Sequence, residues 1–280
     1  MIEEKKQPII KKSLKELIEI FSKDDVIFNI EKNYHKENIK YLSCDEIIDN
    51  KFIKTARIDK ETIETIEKSI ITNGLYNPLI VRESKTLGKY EVIIGRKRWI
   101  ASKKLNKQEI PVVVKNYTDE EVLLILLCDS RENKNFNPIE LALIIDKLNK
   151  SFHYKKKDIA EILHESTSQI SNYVALLKMP KEIIYEVSTN KLSFGHARAI
   201  ARLNEKEMKT VLKKIYQYNL SVRDTEYLVY NMKSKDSFIV KKKYAIRRND
   251  KNTILIKFNN DYDIVEIIDK LENFLSKNVK

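Results

Sequence analysis

The apolar pattern of this chain changes at Asn137-Pro138, and that change limits the fold more than any other feature. Before it, helical and strand-like segments alternate. Asp59 is placed to cap a helix over 60–73 whose Ile63, Ile66 and Ile70 recur at i, i+3 and i+7, and Gly74 stands where a left-handed residue closes a helix. The runs PLIVR (78–82) and YEVII (90–94) predict strands around a turn at Gly88. A helix over 96–105, a strand over 110–115 and a helix over 119–128 follow. After Pro138 the spacing is helical until a last strand over 253–259, which leads into a helix carrying Ile264, Ile267, Ile268, Leu271 and Leu275 on one side. The expected class is therefore α+β: a small α/β domain, an all-helical domain, and a small β/α unit at the C-terminus.

Within the helical part, residues 156–163 and 167–178 are separated by the three-residue break His164-Glu165-Ser166, which is helix-turn-helix spacing. Ala160 allows close approach of the two helices, and Ile170 and Val174 face inward. That leaves Thr167, Ser168, Gln169, Ser171 and Asn172, with Ser166 just ahead of them, on the outer side. Short polar side chains of this kind read base edges and phosphates; an ordinary helical hairpin is the alternative. His164 stands where such a turn often has glycine.

The chain has only four glycines, and one is Gly95 in VIIGRKRWIASKKL, between a strand and a helix that begins with Arg96, Lys97 and Arg98. Either this is a tight turn with a basic surface, or backbone N–H groups at a helix N-terminus approach an anion there. The net charge of +12 favours polyanionic partners, nucleic acid before membrane. No stretch approaches about 18 apolar residues and MIEEKKQP lacks signal-peptide character, so the expected location is the cytoplasm, with no membrane partner. Cys44 and Cys128 lack metal-site spacing and read as packing residues, as does Trp99. Residues 1–38 read as a mobile tail with one amphipathic helix over 13–22. Residues 233–248, with seven basic residues against one acidic, read as a linker able to touch phosphates. A C-terminal unit of about thirty residues is too small to bury its apolar helix face alone and is expected to pair with a second copy.

From about Ile39 onward the ordered motifs resemble the ParB partition proteins and their nucleoid-occlusion relatives. ITNGLYNPLIVR is similar to the first box of that family, GRKRWIA to its arginine box GERRxRA, and NPIE to the end of its second phosphate motif. LSFGHARA and LSVRDTEYLV match the later boxes. The resemblance implies five segments: a tail (1–38), a CTP-binding domain (39–135), a helix-turn-helix domain (136–232), a basic linker (233–249) and a dimerisation domain (250–280). It places the nucleotide at Gly74, Asn77, Pro78, Gly95, Arg96, Lys97, Arg98, Ala101 and Ser130, and magnesium at Asp129. DNA contacts fall on Ser166, Thr167, Ser168, Gln169, Ser171 and Asn172, while His196 and Arg198 contact the DNA backbone or the turn.

The same resemblance implies a homodimeric, nucleoid-associated clamp that is gated by CTP and magnesium, closes on a centromere-like site in double-stranded DNA, and slides. Slow CTP hydrolysis, with no catalytic residue assigned, and a ParA-type ATPase partner contacted through the tail belong to the same picture. Departures are visible. The acidic second position of the arginine box is Arg96, its first arginine is Lys97 and its last is Ile100. Counting back from Asn137, the metal-holding Glu-Asn pair falls on Asp129 and Ser130, and the Gln-Arg pair on Glu132 and Asn133. A nucleoid-occlusion protein or helix-turn-helix transcription regulator without nucleotide switching is the alternative. A nuclease or sulfiredoxin-like enzyme is a third reading, against which stands the lack of a cysteine in the arginine box.

Overall fold

The computed structural model describes residues 13–23, 26–32, 39–86, 88–133, 136–233, 244–248 and 254–258. Residues 1–222 and 223–280 are two units, taken separately below.

The first unit opens with helices α1 (Leu14–Phe21) and α2 (Val26–Lys32) and the short strands β1 (Lys40–Ser43) and β2 (Ile47–Ile48). Then come α3 (Lys60–Asn73), β3 (Leu79–Glu83), β4 (Tyr90–Ile94), α4 (Arg96–Lys104), β5 (Glu109–Val114) and α5 (Asp119–Glu132). The helical part comprises α6 (Pro138–Phe152), α7 (Lys156–Leu163), α8 (Thr167–Leu176), α9 (Lys181–Ser188), α10 (Phe194–Ile200) and α11 (Glu205–Tyr218). Their start signals are in the sequence. Asp59 accepts from the Thr62 N–H at 2.7 Å, Asn137 caps α6 ahead of Pro138 at its first turn, and Gly74 closes α3 at φ 78°. Missing from the sequence reading were β1, β2 and α2, which are too short to show a period.

The sheet runs β1-β5-β3-β4-β2, with β3/β4 and β1/β5 antiparallel and β3/β5 and β2/β4 parallel. Leu79, Ile80, Val81, Val92, Ile93, Val112 and Val113 are essentially inaccessible. Burial on both faces explains why the central strands read as continuous apolar runs.

Helix α5 is buried over seven consecutive residues, Val122 to Cys128, and is therefore enclosed on all sides. One apolar cluster passes through it from Ile80 and Ile93 of the sheet to Ile144, Ile162, Ile170 and Tyr173 of the helical part. The α/β and helical segments, read from sequence as separate domains, share this core.

The N-terminal helices dock on the same core and do not form a mobile tail over the described residues. Leu17, Phe21 and Ile27 are buried. The last carbonyls of α1 meet donors from two elements. Cys128 Sγ and Arg131 Nη1 donate to Phe21 O at 3.3 and 3.1 Å, Arg131 Nη2 to Lys23 O at 2.5 Å, and His164 Nε2 to Ser22 O at 2.8 Å. Arg131 Nη1 also donates to Ile162 O at 2.6 Å. A cation at a helix C-terminus satisfies orphan carbonyls and opposes the helix dipole. Burial pushes the Cys128 thiol up to about 12, which leaves it an inert packing group.

Helix α12 (Val222–Lys233) begins at the last residue of the first unit, and in the second unit β6 (Tyr244–Arg248) pairs antiparallel with β7 (Ile254–Phe258). Strand β6 takes residues read from sequence as basic linker, because Tyr244 and Ile246, of the aromatic and β-branched types that favour strands, interrupt the charges. The expected dimerisation helix (264–275) and Lys241 to Lys243 lie outside the described residues.

Arg131→Met keeps the aliphatic stem but removes the donors to three carbonyls. Folding stability is expected to fall by about 2 kcal/mol, with loss of amide protection in α1 and α2 and none in α8. Hydrogen exchange checks this, and undiminished protection of α1 contradicts the docking.

Candidate nucleotide pocket and nucleic-acid interface

The strand-to-helix turn at Gly95 forms because only glycine fits it. Its φ is 95°, and a Cβ there would lie 2.3 Å from Leu79 Cδ2, 3.1 Å from Arg98 Nη2 and 3.3 Å from Arg98 Cζ. The missing side chain thus admits the core leucine and the folded-back guanidinium of Arg98, in addition to setting the backbone conformation. No side chain caps α4 at this end, so its first N–H groups depend on other partners.

Around this turn lies a cavity of about 390 Å³, within the roughly 300–1,000 Å³ of small-molecule sites. Asn77, Gly95, Arg96, Lys97, Arg98, Asp129 and Ser130, all singled out from sequence, line it together with Asn133, Phe136, Asn137 and Glu140 over an isoleucine floor. The remaining three sequence candidates do not. Ala101 is fully buried against Ile63 and Ile70, where α4 meets α3. Pro78 is buried at the entry to β3, and Gly74 is exposed at the end of α3. A larger open depression of about 560 Å³ between Met179, Pro180, Leu203 and Met208 contains none of the sequence candidates.

The basic triplet divides by environment. Arg96 is buried and grips Asp49 with two bonds, Nε to Oδ1 at 2.7 Å and Nη2 to Oδ2 at 2.8 Å. It also reaches Glu140 Oε1 at 2.5 Å and Ala56 O at 3.2 Å. Sequence reasoning placed Arg96 on phosphate; in the structure its guanidinium ties α4 to the loop before α3 and to α6. Burial works against its charge, but Asp49 and Glu140 outweigh burial and hold its pKa above the ordinary value. Burial lifts the Glu140 carboxyl above the usual range, and Arg96 offsets this only in part. The doubly bonded Asp49 is the firmer counter-ion. Neither acid was found from sequence, although a buried arginine requires such partners.

Lys97 and Arg98 are half-buried at the cavity, and Arg98 Nη1 donates to Asn77 O at 2.5 Å. Ser130 donates its hydroxyl proton to Leu126 O at 2.9 Å, which leaves oxygen lone pairs toward the cavity beside Asp129. Among the described residues no group of three His, Cys, Asp or Glu could hold a metal alone. A single carboxylate suits magnesium, which keeps several waters and takes further ligands from substrate phosphates.

In the helix-turn-helix, His164 adopts the left-handed turn conformation at φ 56°, the role foreseen for glycine. Thr167 and Ser168 are exposed and Gln169, Ser171 and Asn172 half-exposed, while Ile170 is fully buried. Ser166 caps α8, accepting from the Gln169 N–H at 3.1 Å. Tyr173, which sequence reading passed over, is a core residue stacked on Phe194 at 4.5 Å and edge-on to Phe136 at 6.0 Å. His196 is engaged in the turn: Nε2 donates to Leu220 O at 2.9 Å, and Nδ1 lies 2.7 Å from Ser193 Oγ. Arg198 is exposed.

A helix-turn-helix with a polar outer row, joined through one core to an α/β module that holds a cavity lined by Lys97 and Arg98, defines the class of a DNA-binding protein. Residues 28–131 match the model of the ParB N-terminal domain and residues 134–234 that of the ParB HTH domain. A nucleoid occlusion protein of Geobacillus sp. (strain WCH70) is 33% identical over 70% of this chain and 70% of its own length. A probable chromosome-partitioning protein ParB of Campylobacter jejuni is 28% identical over 92% of this chain and 95% of its own. Among solved structures, the truncated ParB of Caulobacter crescentus complexed to the centromeric parS site is 28% identical, covers 68% of this chain and 98% of its own, and has a TM-score of 0.42. The chain belongs to the ParB family of partition and nucleoid-occlusion proteins. No helix among the described residues is long and apolar enough to cross a membrane.

Arg96→Ala leaves Asp49 and Glu140 without their buried counter-charge and is expected to destabilise the fold by about 3–5 kcal/mol. Lys97→Ala is expected to change stability by less than about 0.5 kcal/mol. Denaturant titration of both variants checks the division; equal stability losses contradict it.

Proposed function

We propose that the chain is a CTP-gated DNA clamp: the cavity at Gly95 binds CTP with magnesium, and α8 reads a centromere-like site. The observation that carries this reading is the convergence of seven residues, drawn from three separate sequence motifs, on one cavity. Lys97 and Arg98 supply positive charge for a triphosphate, the uncapped end of α4 supplies backbone donors, and Asp129 with Ser130 would hold magnesium. Bound magnesium would neutralise phosphate charge. Homodimerisation, a ParA-type ATPase partner and a nucleoid location belong to the same proposal.

The packing supports a route from cavity to DNA. Phe136 lines the cavity and meets Tyr173 of α8. Asn137, also on the cavity, donates to Arg57 O at 2.7 Å and Ser188 O at 3.0 Å, and so ties the loop before α3 to the end of α9. A ligand that moves either residue biases the helices carrying the outer row.

A second reading, a helix-turn-helix regulator without nucleotide switching, is favoured by the engagement of Arg96 with Asp49 and Glu140. Calorimetry with CTP and excess magnesium separates the two. Wild-type protein is expected to bind CTP more tightly than ATP or GTP, and Asp129→Ala to lower CTP affinity in magnesium toward that in chelator. No detectable binding at millimolar CTP, with and without DNA, leaves the regulator.

Gln169→Ala and Asn172→Ala are each expected to weaken binding to a duplex selected by the protein from a random pool by about 1–3 kcal/mol, and to leave binding to a scrambled duplex nearly unchanged. Equal losses on both duplexes, measured by fluorescence anisotropy, contradict the assignment of α8.

A further inference from the structure

Three lysines in a row, Lys155, Lys156 and Lys157, stand exposed at the start of α7, and one of them differs from its neighbours. Lys156 Nζ lies 2.9 Å from Ser171 Oγ on α8, fifteen residues away. Ser171 in turn donates its only hydroxyl proton to Thr167 O, one turn back in its own helix, at 3.0 Å. A hydroxyl has one proton, so Ser171 has none left for a base or phosphate, and its oxygen serves as an acceptor for the ammonium. The ammonium has three protons, of which Ser171 takes one. At this position of the outer row the donors available to DNA therefore belong to Lys156 of the first helix.

We infer that Lys156 is a phosphate contact held in place by Ser171, and that the pair sets the depth and register of α8 against the DNA backbone. This rests on the reading of α8 as the recognition helix. In a helix-turn-helix the first helix crosses the backbone while the second enters the groove, and phosphate contacts position the protein where base contacts specify the sequence. A lysine on a flexible stem is ordinarily a diffuse point charge. Tethering to Ser171 gives this one a defined place on the outer row of α8 and removes part of the ordering that a free side chain undergoes on binding. Lys157 lies next to it on the chain and makes no contact with α8 among those described, so it serves as the matched control for charge alone.

The test uses the full-length chain, a duplex selected by the protein from a random pool, and a scrambled duplex of the same length. Lys156→Ala is expected to weaken binding to both duplexes about ten-fold and to lower the slope of log affinity against log salt by about one. Lys157→Ala is expected to weaken both less than about three-fold. Ser171→Ala is expected to cost about three-fold on the selected duplex in the wild-type background and nothing in the Lys156→Ala background, since the serine acts through the lysine. Thermal melts of all variants should coincide, because the three residues are surface groups. Equal losses for the two lysine variants, or a Ser171→Ala loss that persists without Lys156, overturn the inference. An unchanged preference of Gln169→Ala for the selected duplex overturns instead the assignment of α8, a result distinguishable from either.

Discussion

The enclosure of α5 is the constraint on which the rest of the molecule depends. A helix with seven successive buried residues has no solvent face, so it must be covered by the sheet, by α6 and α7, and by α1 and α2 together. Its C-terminal turn then emerges where three layers meet and its side chains fan out in opposite directions. Asp129 and Ser130 line the cavity, whereas Cys128 and Arg131 hold the carbonyls at the end of α1. One helical turn thus belongs at once to the candidate nucleotide site and to the docking of the N-terminal segment.

The second constraint is electrostatic. A basic triplet beside a cavity looks uniform in sequence, but burial sorts it. Arg96 is taken out of water and needs two carboxylates, and the desolvation of those carboxylates is tolerable only because the guanidinium meets them with several bonds. Its partners come from the loop before α3 and from α6, and of the three charged groups Arg96 and Glu140 line the cavity. Cationic character toward a ligand then rests on Lys97 and Arg98. The residue after Gly95 is thereby a buried structural arginine, with its acids supplied by Asp49 and Glu140.

Much of this was legible in the sequence because the signals were local. Asp59, Gly74, Pro138 and the break at His164 act within one or two helical turns, and the structure places α3, α7 and the start of α8 where they indicate. The convergence of Asn77, Gly95 and Asp129 was legible only through the resemblance, since no local period relates residues so far apart. What escaped depends on contacts across the chain. Asp49 and Glu140 announce nothing until Arg96 is seen to be buried, and Tyr173 sits in a helix whose polar neighbours drew the eye outward. Strands of two and four residues carry no period. Docking of α1 was hidden for the same reason: its apolar stripe was visible, but the carbonyl-binding donors on α5 and at the turn were not.

His164 brings these threads to one point. In the sequence it looks like a defect, a histidine where a turn prefers glycine. In the structure it accepts the left-handed conformation, at a cost of about 1 kcal/mol relative to glycine, and its ring donates to Ser22 O at 2.8 Å. A glycine would satisfy the turn but remove this donor to Ser22 O, whereas Arg131 and Cys128 donate to the neighbouring carbonyls of Phe21 and Lys23. The residue therefore joins the helix-turn-helix to α1, while Arg131, which donates both to α1 and to Ile162 O of α7, joins the same two elements to the cavity helix. The helix-turn-helix is thus fastened at its turn by the N-terminal segment, while Tyr173 of α8 packs edge-on against Phe136 of the cavity lining, so α8 and the cavity share one continuous set of packed groups.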